Sequence, residues 1–183
     1  MIKSKRFFWN TAMTWGLYIA LISVLFTSVL YVTDNLFVSF RSWVDTLIFV
    51  AGIILCARAF KSKISIEEPF PYSRALGLGV ATSFFASIIL GLFYFVLYRY
   101  INPSLIDEIQ LMQEEVMIES GFSDQIIEQQ MAMKSIIFNP GFMAFQHMFS
   151  TVFTGLLISL ITSVFIRVKS TDGFAEVMRE IDD

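Results

Sequence analysis

Charge is absent from four long stretches of this 183-residue chain, and cysteine and histidine occur once each, as Cys56 and His147. A single thiol excludes any intrachain disulfide. One Cys and one His cannot build a zinc site without several carboxylates, and the acids around Glu114 and Glu115 lack the loop spacing of a calcium motif. Gly77 and Gly79 make no dinucleotide fingerprint, since a preceding strand and a third glycine are missing. Ser150 follows His147 by three residues, yet no further group completes a hydrolase triad. A net charge of −3 is too small to point to nucleic acid. No cofactor, no metal and no catalytic residue is expected.

What the chain has instead is apolar surface. Hydrophobic residues make up 56 % of it and the mean hydropathy is +0.67, outside the range of soluble domains. A spanning helix needs about 20 predominantly apolar residues. The uncharged runs are Phe7 to Thr33, Thr46 to Ala57, Ala75 to Tyr98 and Ser135 to Ile166. The second run reaches spanning length only by admitting Asp45 and Arg58 at its ends, where snorkelling and capping make charge tolerable. The expected fold is all-α: an integral membrane four-helix bundle with spans near 8–33, 43–60, 75–98 and 142–166.

Orientation follows from the basic residues. The N-terminal tail holds Lys3, Lys5 and Arg6, the loop after the second span holds Arg58, Lys61, Lys63 and Arg74, and the C-terminal tail holds Arg167, Lys169 and Arg179, which is ten of the thirteen. The other side has Arg41, Arg99 and Lys134 among nine acids. Both termini are expected in the cytoplasm, with the first span retained rather than cleaved as a signal peptide.

Residues 102–140 form the long connection, expected to be a helical hairpin. Asn102 and Pro103 give a start signal, with Asn102 as N-cap, and Gly121 fits the position past the end. Leu105, Ile109, Met112 and Val116 then share one face, opposite Asp107, Glu108, Glu114, Glu115 and Glu119. A second helix begins at Ser123, carries Ile126, Ile127, Met131, Met133 and Ile137, and stops at Asn139, Pro140 and Gly141. Met112, Met131, Glu114, Glu115 and Glu119 are candidate partner-docking residues, because unbranched Met side chains re-pack against varied shapes. The alternative is that the apolar stripes pack on each other or on the membrane surface.

Small residues recur at every fourth position of two spans. Gly79, Ser83, Ser87 and Gly91 follow Ala75 on the third, and Thr151, Gly155, Ser159 and Ser163 mark the fourth. Helices associate in lipid through close backbone approach, so these stripes are expected to pack the third span on the fourth, or else one of them to serve a homodimer or a foreign helix. The first span has a shorter version in Ala12, Gly16 and Ala20. Twenty Phe residues argue for lipid-facing rings rather than a wet pore, and Trp9, Tyr31, Trp43, Phe60, Tyr72, Tyr98 and Tyr100 are expected as interfacial anchors.

Three polar residues within or at the ends of spans are candidates for a functional site: His147, Gln146 and Asp45. His147 also suits an interfacial role. Asp45 follows Ser42 by three, the spacing of a capping box, which accounts for it structurally.

The order of short motifs also resembles a known family. Pro71-Tyr72-Ser73-Arg74-Ala75-Leu76, then Tyr98-Arg99-Tyr100-Ile101-Asn102-Pro103, Gly121-Phe122-Ser123-Asp124, Ile127-Glu128-Gln129 and Asn139-Pro140-Gly141-Phe142-Met143 are similar to those of small four-span inner-membrane proteins of Bacteroidota catalogued as a domain of unknown function. The resemblance implies a Gram-negative inner membrane and a periplasmic hairpin. It implies no activity and carries over no catalytic residue. The genes resemble, in setting, accessory proteins found near polyprenyl-type glycosyltransferases, which implies such an enzyme as partner. The expected function is a non-enzymatic accessory or scaffold subunit of a larger membrane complex. The alternatives are a small oligomeric transporter or lipid-handling protein built around His147, Asp45 and Gln146, and a membrane enzyme acting on lipid or polyprenyl substrates.

Overall fold

The computed structural model describes residues 2–38, 40–64, 70–132 and 137–166. The helices are α1 (Ile2–Val32), α2 (Arg41–Lys61), α3 (Tyr72–Val96), α4 (Leu105–Glu119), α5 (Asp124–Ala132) and α6 (Pro140–Ile166), with a π-helical turn at Leu97–Ile101 continuing α3. Four of them, taking α3 with its π turn, are long and apolar enough to cross a membrane. The protein is an all-α, multi-pass membrane protein. A helix satisfies its backbone polar groups internally, which is what crossing hydrocarbon requires.

The helix ends show how local chemistry sets the boundaries. Gly121 adopts φ +75° just after α4, its N–H bonded to the Ile118 carbonyl at 3.0 Å and that of Phe122 to Met117 at 3.2 Å. That pair of bonds is a Schellman cap, which needs the left-handed conformation glycine supplies. Asn139 opens α6: its side-chain oxygen accepts the Gly141 N–H at 2.9 Å while Pro140 occupies the first helical position. Asn139, Pro140 and Gly141, expected to end the hairpin, also begin the last span.

Two starts differ from expectation. Asn102 does not cap α4: its side-chain oxygen accepts from the Ser104 hydroxyl rather than from a backbone N–H, its own N–H closes the π turn onto the Leu97 carbonyl at 2.8 Å, and α4 begins only at Leu105, after Ser104. Ser42 is not an N-cap either: α2 starts at Arg41 after Phe40, so Ser42 lies inside the first turn. Met133 lies outside the described residues, as does the side chain of Met131.

The chain divides into two compact units, residues 1–87 with 151–183 and residues 88–150. In the first, α1 meets α2 where Gly52 lies against the Ile19 side chain, and meets α3 where Gly16 lies against the Thr82 carbonyl and Phe85. Ala12, Cys56, Phe60, Phe70 and Leu78 are buried there. Phe60 is fully buried and Tyr98, in the second unit, nearly so, which corrects their assignment as interfacial anchors. Phe60 is taken inward by Phe7, Phe8 and Phe70, whose rings surround it. Trp9, Trp43 and Tyr100 remain exposed.

Candidate functional site

The small-residue stripes come first because they hold α3 and α6. In the first unit Gly79 lies against Ser159 and Gly155 against Ser83. As the number rises on α3 it falls on α6, so the two helices run antiparallel and each Gly-x-x-x-Ser receives the other's serine. Both hydroxyls fold back on their own helix, Ser83 donating to the Gly79 carbonyl at 3.0 Å and Ser159 to that of Gly155 at 2.6 Å. This satisfies the hydroxyls while keeping them short enough for close approach. Ser87 and Ser163 are buried too, and Thr151 is half-buried. Cys56 adds a thiol contact to Thr82 Oγ1 at 3.3 Å.

The polar candidates fall in different surroundings. Asp45 is in the first unit, where its carboxylate faces Arg41 Nε at 3.7 Å, one turn earlier on α2. Gln146 and Ser150 are exposed. His147 is half-buried in the second unit and stacks on Tyr94, with ring centroids 3.9 Å apart and planes 5° from parallel. Its Nε2 lies 3.4 Å from the Tyr98 hydroxyl. Tyr94 and Tyr98 are one turn apart and stack on each other at 5.8 Å.

The π turn sits at this cluster. Such turns insert one residue into a helix and are frequent at functional sites. Here it begins at Leu97, next to Tyr98. With Nε2 unprotonated the imidazole accepts from Tyr98; with Nε2 protonated it donates to the phenol oxygen. Either tautomer of the imidazole can therefore face the phenol. Among the described residues there is no group of three His, Cys or acidic side chains placed to hold a metal.

Sequence reasoning singled out His147 but missed Tyr94 and Tyr98 as its partners. The signal was present in two tyrosines four apart at the end of one span and a lone histidine near the start of another. Gly91, on the same part of α3, receives the Met148 side chain.

On α4 the inward face differs from the expected one. Leu105, Ile106 and Gln110 are buried, and Ile109, Glu114 and Met117 half-buried, whereas Met112 and Val116 are exposed. The face is turned by about one residue, or ~100°. Apolar residues stand nearly all round this helix, so spacing alone did not select a side. Leu111, Met112, Val116 and Ile118 consequently point outward among Glu115 and Glu119. Gln110 is 6 % exposed, and its Oε1 has no hydrogen-bond partner among the described residues.

No curated protein and no solved structure matches this chain. A family model does match residues 14–168, a stretch that runs from within α1 through the π turn, α4 and α5 to the end of α6. The chain belongs to the family described as Protein of unknown function (DUF4199).

Proposed function

We propose that the protein is a non-enzymatic accessory or scaffold subunit of a larger membrane complex. It would reside in the inner membrane of a Bacteroidota cell, with both termini cytoplasmic and α4 and α5 on the periplasmic side. The observation that carries this reading is the outward half of α4, where Leu111, Met112, Val116 and Ile118 are exposed between Glu115 and Glu119 outside the candidate spans. Exposed apolar surface rimmed by charge marks contact with a protein or a membrane, and the acidic residues here favour a protein over an anionic lipid surface. The acidic residues select a partner with a basic, apolar surface, and a polyprenyl-type glycosyltransferase is the partner the family resemblance suggests.

A photo-crosslinking side chain at Met112, introduced in native membranes, tests the reading. A discrete cross-linked species is expected from Met112, absent from the buried position Gln110, and lost when Glu115→Lys and Glu119→Lys are combined. If those reversals and Met112→Gln leave every native association intact, the docking role fails. The second reading, an oligomeric transporter or lipid-handling protein, is favoured by the half-buried His147 on Tyr94 and Tyr98. It gains weight if the protein purifies as a homo-oligomer whose transport or lipid exchange is lost in His147→Ala.

A further inference from the structure

Cations gather where α1 begins and α2 ends. Lys5 and Arg6 are exposed on α1, and Arg58, Lys61 and Lys63 are exposed at the close of α2 and just past it. Rings tie these two ends together within the first unit: Phe7 stacks on Phe60 at 5.1 Å, and Lys63 Nζ stands 5.8 Å above the Phe7 ring. Glu67 and Glu68 follow in sequence and lie outside the described residues. Among the described residues of this unit the carboxylates are Asp34, just past the end of α1, and Asp45, at the start of α2, so both stand at the opposite ends of those helices.

The cations continue an apolar face. Leu47, Ala51 and Leu55 are exposed at intervals of four along α2, and Arg58 and Lys61 extend the same side of the helix to its end. On α1, Met13 and Trp9 lead in the same way to Arg6. A lipid-facing apolar stripe ending in cations matches a phospholipid in shape and polarity: acyl chains below, phosphate at the basic end. The positive-inside tendency places charge on a side of the membrane, but it does not require alignment with an exposed stripe or a ring beneath an ammonium.

We infer that the outward face at the end of α2 binds an anionic phospholipid, its phosphate held by Arg58 and Lys61 and its chains along Leu47, Ala51 and Leu55. A zwitterionic lipid would bring its own ammonium against the cluster and is disfavoured. The full-length protein in mild detergent, offered equal amounts of phosphatidylglycerol and phosphatidylcholine with identical chains, reports the preference by native mass spectrometry. The wild type is expected to retain phosphatidylglycerol selectively. Combining Arg58→Gln and Lys61→Gln reduces the selectivity by about fivefold per cation removed. Lys61→Arg keeps it, as does Lys63→Gln, because the Lys63 ammonium stands over Phe7 rather than on that face. Raising salt from about 50 to about 500 mM weakens it in the wild type, a readout that needs no variant. Equal retention of both lipids by the wild type overturns the inference, as does unchanged selectivity in the double variant. Displacement of the lipid by inorganic phosphate overturns it too, because the site would then take the anion without the chains. None of these outcomes depends on a protein partner, so the inference stands or falls apart from the accessory role.

Discussion

Helices α3 and α6 each contribute to both compact units, and they meet differently in each. In the first unit the contact is made by the smallest side chains, Gly79 against Ser159 and Gly155 against Ser83, with every hydroxyl of that quartet bonded to its own helix. In the second the same helices bring large and soft groups together, Met148 into Gly91 and His147 onto Tyr94 and Tyr98. The difference is one of tolerance. A seam of backbone and Cβ atoms cannot yield without moving a helix, whereas a thioether or a ring edge can rotate.

The sharpest test sets two glycines side by side. A Cβ at Gly155 meets the Oγ and Cβ of Ser83, and that Cβ is fixed by its own backbone. Gly155→Ala is expected to destabilise by about 2 kcal/mol, and Gly155→Leu by about 3 kcal/mol. At Gly91 the obstacle is the Met148 side chain, which swings aside, and alanine gains helix propensity, so Gly91→Ala is expected within about 1 kcal/mol of neutral. Thermal unfolding of both variants in one detergent measures the gap. Equal losses would break the contrast between a rigid seam and a yielding one.

The second comparison concerns buried polar groups. Thr82, Ser83, Ser159 and Thr162 all donate to a carbonyl one turn earlier. Among the described residues, buried atoms without a partner occur in both units, Ser23 Oγ and Asp45 Oδ1 in the first and Oε1 of the 6 % exposed Gln110 in the second. An unpaired buried acceptor costs about 1–3 kcal/mol, so Gln110→Met, which keeps length and removes the polar end, is expected to raise stability by about 1 kcal/mol. Chemical unfolding decides the matter. A loss of stability instead would mean that Gln110 has a bound water or ligand as partner, and would move it to the centre of the second unit.

How far the sequence could be read follows the same division. The stripes were legible because small residues at intervals of four are rare among so many Phe and Leu, and a helix seam in lipid needs little else. The Gly121 cap was legible because only glycine fits there cheaply. The buried side of α4 was not. Leu105, Ile106, Ile109, Leu111, Met112, Val116, Met117 and Ile118 leave no polar half, and Gln110 went inward while Met112 stayed out. The His147 cluster was half legible: a lone histidine in an uncharged run draws the eye, but its pairing with Tyr94 and Tyr98 depends on tertiary packing. The π turn carries no signal in the residues Leu97–Ile101 themselves.

The smallest expected effect is also the one that separates stacking from hydrogen bonding at that cluster. Parallel rings at 3.9 Å contribute about 1 kcal/mol, so His147→Ala is expected to cost that and a little more for the space it leaves. The Tyr98 hydroxyl lies 3.4 Å from Nε2, long for a hydrogen bond, and Tyr98→Phe keeps the ring against Tyr94. A loss of about 0.5 kcal/mol is expected. In the double variant the share of the Tyr98→Phe penalty owed to His147 should vanish. If Tyr98→Phe instead costs as much as His147→Ala, the bond rather than the stack holds the second unit's contact. The contrast drawn between α3's two halves would then be one of two hydrogen-bonded seams, differing only in which helix supplies the acceptor.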